Sequence, residues 1–301
     1  MRKKQESFSR QAFLILNTVF MFVLMIVMLF PYVNVLAKAF NDGADTAMGG
    51  ITIYPRVFTW ENLKTVVTDK AFPRAAFISV SRTILATLIS LTTQIMTAYA
   101  LLRKDLKGRS AIIFFFLIPS YISGGLVSLY ITLSKLHLLN TYWLYLLSGA
   151  FSLYNMTIIR TYLRGLPDGL IEAARLDGAS EFTTLFRIVV PLSKPIIATV
   201  GLWTAVSTWN DWTTTMYFFT KKKLFTLQYI LVQILKETEK IQQMIEKAQM
   251  EGELYSINDF NVTTESVRCA QIIVTTIPIV IVYPFLQKYF IRGALVGAVK
   301  D

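Results

Sequence analysis

The sequence has few of the residues from which catalytic sites, metal sites and disulfide frameworks are built. Only 16% of its 301 residues are charged, and it contains one histidine and one cysteine. Cys269 cannot form a disulfide within the chain, and His137 has no second metal ligand nearby in the sequence. We therefore expect no catalytic residues and no bound metal, with Cys269 a small apolar packing residue.

A phosphate-binding loop of the form G-x-x-x-x-G-K-[ST] is also missing. The chain is therefore not expected to bind ATP in that way. A net charge of +11 raises nucleic acid as a partner, but the basic residues form no patch interleaved with aromatic residues. Nucleic acid is not an expected partner.

Apolar residues, by contrast, are abundant: they make up 54% of the chain, and the mean hydropathy is +0.50. A bilayer core about 30 Å thick needs about 20 apolar residues of helix. Six stretches reach or approach this length, which predicts an all-α, polytopic protein embedded in the lipid bilayer. The predicted spans are residues 12–36, 76–102, 111–134, 142–163, 185–209 and 270–290.

The first apolar run could instead belong to a signal peptide, because Ala37-Lys38-Ala39 resembles a cleavage site. The run from Ala12 to Phe30 is longer than the roughly 7–15 apolar residues of a signal peptide, and it continues to Leu36. We interpret it as a retained first span.

The distribution of lysine and arginine predicts the orientation. Six spans place both termini on one side, and the three short stretches there, 1–10, 103–109 and 288–301, hold eleven basic and three acidic residues. The segments on the opposite side hold thirteen basic and twelve acidic residues. Because basic residues favour cytoplasmic loops, both termini and the loop 160–187 are predicted to be cytoplasmic.

This cytoplasmic loop contains a pattern that predicts a helix, a turn and a second helix, which we call the elbow (residues 165–183). Pro167-Asp168 favours a helix start, since proline suits the first turn and an acidic residue complements the helix dipole. Asp177-Gly178 predicts the helix end, because glycine adopts a left-handed backbone at little cost. Ser180 can cap the next helix, which we expect to run into the fifth span. The elbow is suited to docking on another protein, although a plain connector has the same pattern.

The elbow resembles the EAA loop of the membrane subunits of ABC importers. The matching residues are Glu172-Ala173-Ala174, Asp177-Gly178-Ala179, Phe186, Ile188 and Pro191-Leu192. Arg175-Leu176 and Glu181-Phe182 fall where that family varies freely. Two further segments are similar to the maltose-permease-like branch that imports complex oligosaccharides: STWNDW (Ser207–Trp212) and YPFLQKYFIRGALVGAVKD (Tyr283–Asp301).

The resemblance implies a type I ABC importer permease fold in the cell membrane of a prokaryote. It also implies a homologous second permease, two cytoplasmic ATPase subunits, an extracytoplasmic solute-binding protein and an oligosaccharide substrate. ATP and Mg²⁺ are then bound by the ATPase subunits, and this chain binds no cofactor. The implied ATPase contacts are Glu172, Ala173, Ala174, Asp177, Gly178 and Ala179, with a second contact at the tail residues Gly297, Val299 and Lys300.

Two domains are expected in this chain. Residues 1–75 hold the first span and an external loop. Residues 76–301 form the core permease domain, with five spans, the elbow and an external insertion at about 213–268. In that insertion, apolar residues at helical spacing from Leu224 to Ile234 predict a helix that continues as a charged segment to Glu253.

Sugar recognition requires aromatic faces and hydrogen-bonding groups. Trp209, Asn210 and Asp211 provide both at the outer end of the fifth span, although tryptophan there is also typical of the membrane interface. Arg82 lies about one turn inside the second span, where a cation is costly. It either reaches out to the surface or faces the pathway and pairs with a uronate carboxylate. Further candidates for the pathway, which could equally be packing residues, are Tyr121 and Asn155.

Three other functions remain open at this point. A secondary transporter requires ion-coupling carboxylates inside its spans, whereas every acidic residue here falls in a loop or at the edge of a span. A membrane scaffold leaves the elbow unexplained. An ABC permease for a solute other than a sugar is consistent with the elbow, and the sequence does not identify the sugar.

Overall fold

The computed structural model describes residues 8–68, 70–103, 105–122, 124–250 and 263–298. The tail residues Val299 and Lys300 lie outside these ranges. Within them, the chain is helical, and its extended pairing is limited to one isolated bridge between Asn41 and Phe58. The all-α prediction is therefore confirmed.

The helices are α1 (Phe8–Ala39), α2 (Gly43–Ala47), α3 (Glu61–Val67), α4 (Phe72–Ala100), α5 (Arg109–Tyr121), α6 (Gly125–Lys135), α7 (Tyr142–Leu147), α8 (Leu153–Leu163), α9 (Asp168–Leu176), α10 (Glu181–Thr184), α11 (Val190–Leu192), α12 (Lys194–Asn210), α13 (Thr213–Phe218), α14 (Leu227–Met250) and α15 (Thr264–Ala298). A π-helical turn, Leu185–Val189, joins α10 to α11, and a 3₁₀ turn, Lys222–Leu224, precedes α14. The helix predicted in the external insertion is thus present as α14, although Glu251–Glu253 lie outside the described residues.

Three single helices, α1, α4 and α15, are long and apolar enough to cross a bilayer. Two bent pairs, α5 with α6 and α10–α11 with α12, raise the number to five if each pair counts as one span. The predicted fourth span, 142–163, is divided between α7 and α8, because Ser148–Ser152 interrupt the helix and Ser152 caps α8. By length and composition, the described residues therefore contain at most five candidate membrane spans, whereas we predicted six.

The predicted fifth span, 185–209, is bent and not continuous. The segment α10–α11 meets α12 at an angle of 83°. Pro195 lies in the first turn of α12, where its ring fits, but it cannot continue an incoming helix, because it donates no backbone hydrogen bond. The expected uninterrupted passage from the elbow into the fifth span is therefore corrected: the long apolar helix begins at Lys194, after a break at Ser193.

The described residues group into two compact units. The first contains residues 8–68, 233–250 and 263–277, and the second contains residues 70–232 and 278–298. The boundary that we predicted at residue 75 stays a prediction. In the first unit, the buried side chain of Asn41 organises the segment after α1: its Oδ1 accepts hydrogen bonds from the amides of Arg56 (2.8 Å) and Val57 (2.9 Å).

In the second unit, α4 is the central helix and packs against α7, α8 and α12. Its close approach to α12 depends on Gly201, because a Cβ added there would lie 3.2 Å from a methyl group of Leu91. The buried core around the carboxyl end of α4 consists of Ile95, Ala98, Tyr99, Leu101, Met156, Ile159, Leu163, Leu185, Val189 and Val200. Arg82 lies in the amino-terminal half of α4, and Tyr99 lies near its carboxyl end.

Candidate functional site

The elbow has the local geometry that its sequence predicts. Pro167 directly precedes α9, and Gly178 follows it with φ +75°. The amide of Ala179 donates to the carbonyl of Ala174 at 2.9 Å. The amide of Gly178 donates to the carbonyl of Arg175 at 3.0 Å. These two bonds form a Schellman turn, which satisfies the last carbonyls of α9. The predictions of a helix start at Pro167-Asp168 and a helix end at Asp177-Gly178 are confirmed.

The second helix of the elbow begins as predicted, at Ser180. The Ser180 hydroxyl oxygen accepts a hydrogen bond from the amide of Thr183 at 3.2 Å, which caps α10.

The elbow residues that we expect at an ATPase contact differ in exposure. Ala174 is only 6% exposed, so it packs within this chain, and Ala179 is half-buried. The other four are exposed: Glu172, Ala173, Asp177 and Gly178. Leu176 is 89% exposed. The elbow thus presents two acidic side chains, small residues and the exposed Leu176, a combination suited to docking on another protein.

Glu181, at the start of α10, connects the elbow to α4. Its Oε2 accepts a hydrogen bond from the Tyr99 hydroxyl at 2.7 Å, and its Oε1 accepts one from Arg103 Nη1 at 2.7 Å. Arg175 of α9 lies 3.4 Å from the same carboxylate. One carboxylate therefore joins both helices of the elbow to the end of α4 and to the loop that follows it.

Arg103 is itself held by a second carboxylate. It donates to the two carboxylate oxygens of Asp105 at 3.0 and 2.6 Å. These hydrogen bonds lower the pKa of the Asp105 carboxyl and, together with Glu181, raise the pKa of Arg103. The Arg103 cation therefore persists across the physiological pH range and can hold Glu181.

The sequence did not predict this connection. Glu181 lies at a position where the resembled family varies freely, and Arg103 is 78 residues away. The only signal was an acidic residue in the first turn of a capped helix, together with a basic loop predicted on the same side of the membrane.

In the amino-terminal half of α4, Arg82 forms an ion pair with Asp211, which directly follows α12. The Arg82 side chain is 4% exposed. Its Nη2 is hydrogen-bonded to the Asp211 carboxylate, and its Nη1 donates to the Asp211 carbonyl at 3.1 Å. The guanidinium carbon lies 4.3 Å from the centre of the Tyr145 ring, a cation–π geometry. The Arg82 charge is thus balanced inside this chain by a partner that the sequence did not indicate.

Asp211 also organises the chain that follows it. Its Oδ1 accepts hydrogen bonds from the Thr213 hydroxyl at 2.8 Å and from the Thr214 amide at 3.1 Å, at the start of α13. Burial raises the pKa of the Asp211 carboxyl, but the Arg82 cation and the Thr214 hydrogen bonds outweigh burial and leave the pKa below its usual value. Asp211 is therefore an anion at neutral pH.

The other candidates for the substrate pathway are dispersed. Trp209 is buried and lines a cavity of about 80 Å³ together with Thr83, Val206 and Pro278. Asn210 and Tyr121 are exposed, and Asn155 is half-buried in the first turn of α8. Among these candidates, the structure shows side-chain hydrogen bonds between Arg82 and Asp211, which are distant in the sequence. The cavity beside Trp209 is smaller than the roughly 300 Å³ typical of ligand pockets, so it does not by itself hold an oligosaccharide.

Comparisons with known proteins give matches over nearly the whole chain. Residues 1–296 match the family described as "Binding-protein-dependent transport system inner membrane component". The chain is 30% identical to the polygalacturonan/rhamnogalacturonan transport system permease protein YtcP of Bacillus subtilis, over 95% of this chain and 97% of that protein. It is 29% identical to the arabinooligosaccharides transport system permease protein AraQ of Halalkalibacterium halodurans, over 90% of this chain and 91% of that protein.

A solved structure has a similar fold. It is the crystal structure of a bacterial ABC transporter involved in the import of the acidic polysaccharide alginate. One chain of it matches with a TM-score of 0.80 and 25% identity, over 96% of this chain and all of that chain. The similarity therefore extends over the whole fold and is not confined to the elbow.

Proposed function

This chain belongs to the family of binding-protein-dependent transport system inner membrane components, and from this premise we propose that it is the permease subunit of an ABC importer for oligosaccharides. The relatives are carbohydrate transport permeases, and the similar structure belongs to an ABC importer. The chain moves a solute and catalyses no reaction. Energy comes from hydrolysis of ATP, which is bound with Mg²⁺ by two partner ATPase subunits. A second permease and an external solute-binding protein complete the transporter.

The observation that carries this proposal is the geometry of the elbow. The Schellman turn at Gly178 fixes the angle between α9 and α10, and Glu172 and Leu176 are exposed beside it. A cleft of the ATPase that holds these side chains can push the elbow as a rigid body. Glu181 passes that movement to α4 through Tyr99 and Arg103. ATP binding and arrival of the loaded solute-binding protein then favour the same outward-open state, a reciprocal coupling.

The proposal includes an orientation in the membrane, with both termini in the cytoplasm. In this orientation the elbow and the loop 101–108 face the ATPase subunits, and α14 faces the exterior, where it can receive the solute-binding protein. The tail residues Gly297, Val299 and Lys300 are proposed as a second contact with the ATPase pair.

Uronate-containing oligosaccharides are the substrates that we infer. Polygalacturonan carries a carboxylate on every galacturonate, and the importer with a similar fold is described as importing an acidic polysaccharide. Arg82 already binds a carboxylate through a geometry that a uronate can reproduce in exchange for Asp211. Neutral oligosaccharides, as named for AraQ, are the second candidate class.

The test is uptake of labelled trigalacturonate and of a labelled neutral arabinotriose by cells that lack the native gene. We expect Glu172→Gln to lower uptake by about tenfold or more at an unchanged level of the protein in the membrane. Glu172 is exposed in this chain, and the substitution removes the charge that we propose it contributes to a hydrogen bond inside the ATPase cleft. The matched control is Glu61→Gln, which removes one exposed acidic side chain from α3.

Three results contradict parts of this proposal. Full uptake by Glu172→Gln excludes the elbow as the ATPase contact. Uptake that persists when the catalytic glutamate of the ATPase is replaced indicates a secondary transporter. Arg82→Ala should impair uptake of trigalacturonate more than uptake of arabinotriose, and equal impairment removes the role of Arg82 in binding a uronate.

A further inference from the structure

A cavity of about 510 Å³ lies where the amino end of α5 meets the carboxyl end of α8. The residues that line it include Leu106, Gly108, Arg109, Ser110, Ile113 and Arg160. Both helix ends belong to the side predicted to be cytoplasmic, next to the ends of the predicted spans 111–134 and 142–163. The cavity borders the loop 101–108, which the proposed function places beside the ATPase subunits, but no step of that function uses the cavity.

Arg160 is the unusual residue in this cavity. It is 9% exposed, and its Nε has no hydrogen-bond partner in the part of the chain that the structure describes. The nearly buried Arg82 and the half-exposed Arg103 each contact a carboxylate, whereas Arg160 forms no ion pair with any described acidic residue. A buried guanidinium without an anion is strongly unfavourable, so we expect a negatively charged group to bind next to Arg160.

The start of α5 supplies further donors to the same cavity. Gly108 has φ +77° and offers no side-chain cap, and the amides of Ser110 and Ala111 donate to no acceptor among the described residues. Free amides in the first turn of a 13-residue helix, together with its dipole, favour an anion. The half-buried Arg109 and the exposed Ser110 hydroxyl line the same space.

We propose that this cavity binds a phosphate group, held by Arg160 and Arg109 and by the amides of Ser110 and Ala111 in the first turn of α5. Phosphate presents several strong acceptor oxygens, which match two guanidinium groups and a helix start better than a single carboxylate does. The site lies at the predicted cytoplasmic membrane surface, where the headgroup of an anionic phospholipid supplies this group. Soluble phosphate shares the chemistry, and the experiment separates the two sources. The site is independent of which solute the protein carries.

The first arm of the experiment is native mass spectrometry of the full-length chain in detergent with equal amounts of dioleoyl phosphatidylglycerol and dioleoyl phosphatidylcholine. We expect phosphatidylglycerol to be retained about tenfold more, and Arg160→Gln to abolish this preference, because each charge-assisted hydrogen bond contributes about one order of magnitude in affinity. The second arm is the thermal shift caused by sodium phosphate, relative to sodium chloride at equal ionic strength.

Matched variants keep the result interpretable. Arg160→Lys should retain part of the preference, and Arg109→Gln, at a half-exposed position, should weaken it even if Arg160→Gln fails to fold. Arg187→Gln removes an exposed arginine from the π-helical turn and should leave binding unchanged.

Each outcome decides the proposal. A preference for phosphatidylglycerol that is lost in Arg160→Gln and Arg109→Gln identifies a lipid phosphate. A phosphate-dependent thermal shift that is lost in the same variants, without lipid preference, identifies a soluble phosphate. Equal behaviour of the wild type, Arg109→Gln and Arg160→Gln in both arms overturns the site.

Discussion

Two ion pairs fasten α4, one in its amino-terminal half and one just beyond its carboxyl end, and the two pairs differ in burial. In the amino-terminal half, Arg82 is 4% exposed and faces Asp211 after α12. Near the carboxyl end, Tyr99 and Arg103 face Glu181, whose side chain is 42% exposed. Loss of one partner from a buried pair leaves an uncompensated charge, whereas an exposed charge is readily solvated by water.

This difference in burial implies different roles for the two ion pairs. The Arg82–Asp211 pair cannot open without a large cost unless another carboxylate takes the place of Asp211, so in the absence of substrate we expect it to fix how α4 and α12 pack. The contacts of Glu181 can break and re-form in water while the protein stays folded. A movement of the elbow can therefore reach α4 through contacts that are able to rearrange, while the other end of α4 stays fastened to α12.

The largest expected effect comes from Asp211→Asn. It keeps the size of the side chain but leaves the Arg82 cation buried without its counter-ion, which should lower the free energy of unfolding by about 3–5 kcal/mol. Thermal or denaturant unfolding of the purified chain in detergent measures this loss. Replacing both partners by leucine should recover much of it, since no buried charge remains.

The control is Asp105→Asn, because Asp105 pairs with Arg103 at the exposed end of α4. We expect this change to have little effect on stability. Equal losses of unfolding free energy in Asp211→Asn and Asp105→Asn contradict the contrast between the two ion pairs.

Gly178→Ala should have the next largest effect. Gly178 has φ +75°, and no atom lies within 4 Å of an added Cβ, so the cost is conformational and amounts to about 1–2 kcal/mol. Gly178→Asn should cost less, because asparagine tolerates the left-handed backbone. Gly169→Ala, in the first turn of α9 and also with open space, should not destabilise. Unfolding of the three variants checks this order, and destabilisation by Gly169→Ala equal to that by Gly178→Ala contradicts it.

Glu181→Gln should reduce transport with little change in stability. It removes the charge that faces Arg103, and because the pair is half-exposed we expect about a two- to fivefold lower uptake per ATP hydrolysed by the assembled transporter. The ratio of uptake to hydrolysis separates this positioning role from a purely structural one, since misfolding lowers both together.

Tyr99→Phe removes the second contact of the same carboxylate. If Glu181 connects the elbow to α4 through both residues, the two substitutions should be non-additive. Additive effects, or an unchanged ratio in Glu181→Gln, exclude this connection.

The features that the sequence predicted correctly are local ones. Pro167, Gly178 and Ser180 each set the backbone within a few residues of themselves, so the elbow was predictable to within a residue. The all-α membrane fold follows from the apolar runs, and the ABC permease family follows from the motif in the elbow. The bend at Ser193 was not predicted, although Pro191 and Pro195 on either side of it disfavour a continuous helix.

The features that the sequence did not predict depend on which distant residues meet. Arg82 and Asp211 are 129 residues apart, and their pairing requires the packing of α4 on α12. A cation in a span has several possible partners, and only the assembled helices select one. The division of the fourth span into α7 and α8 was missed for another reason: its apolar composition predicts a long helix, whereas Gly149 and the Ser152 cap interrupt it.

The smallest expected effect concerns pH. The pKa of Asp211 in the folded chain is below its usual value, because Arg82 outweighs burial. Such a group stabilises the folded chain above its unfolded pKa of about 3.9, and this contribution is lost as the pH falls through the lower, folded value. The pair should therefore add no pH dependence to the free energy of unfolding between about pH 5 and 8, and Asp211→Asn should flatten the decline below about pH 4. Unfolding curves of the two proteins from acid to neutral pH measure the difference. If the free energy of unfolding declines identically with acid in both proteins, the pKa of Asp211 is not lowered. The buried Arg82–Asp211 pair then does not stabilise the packing of α4 through its charges.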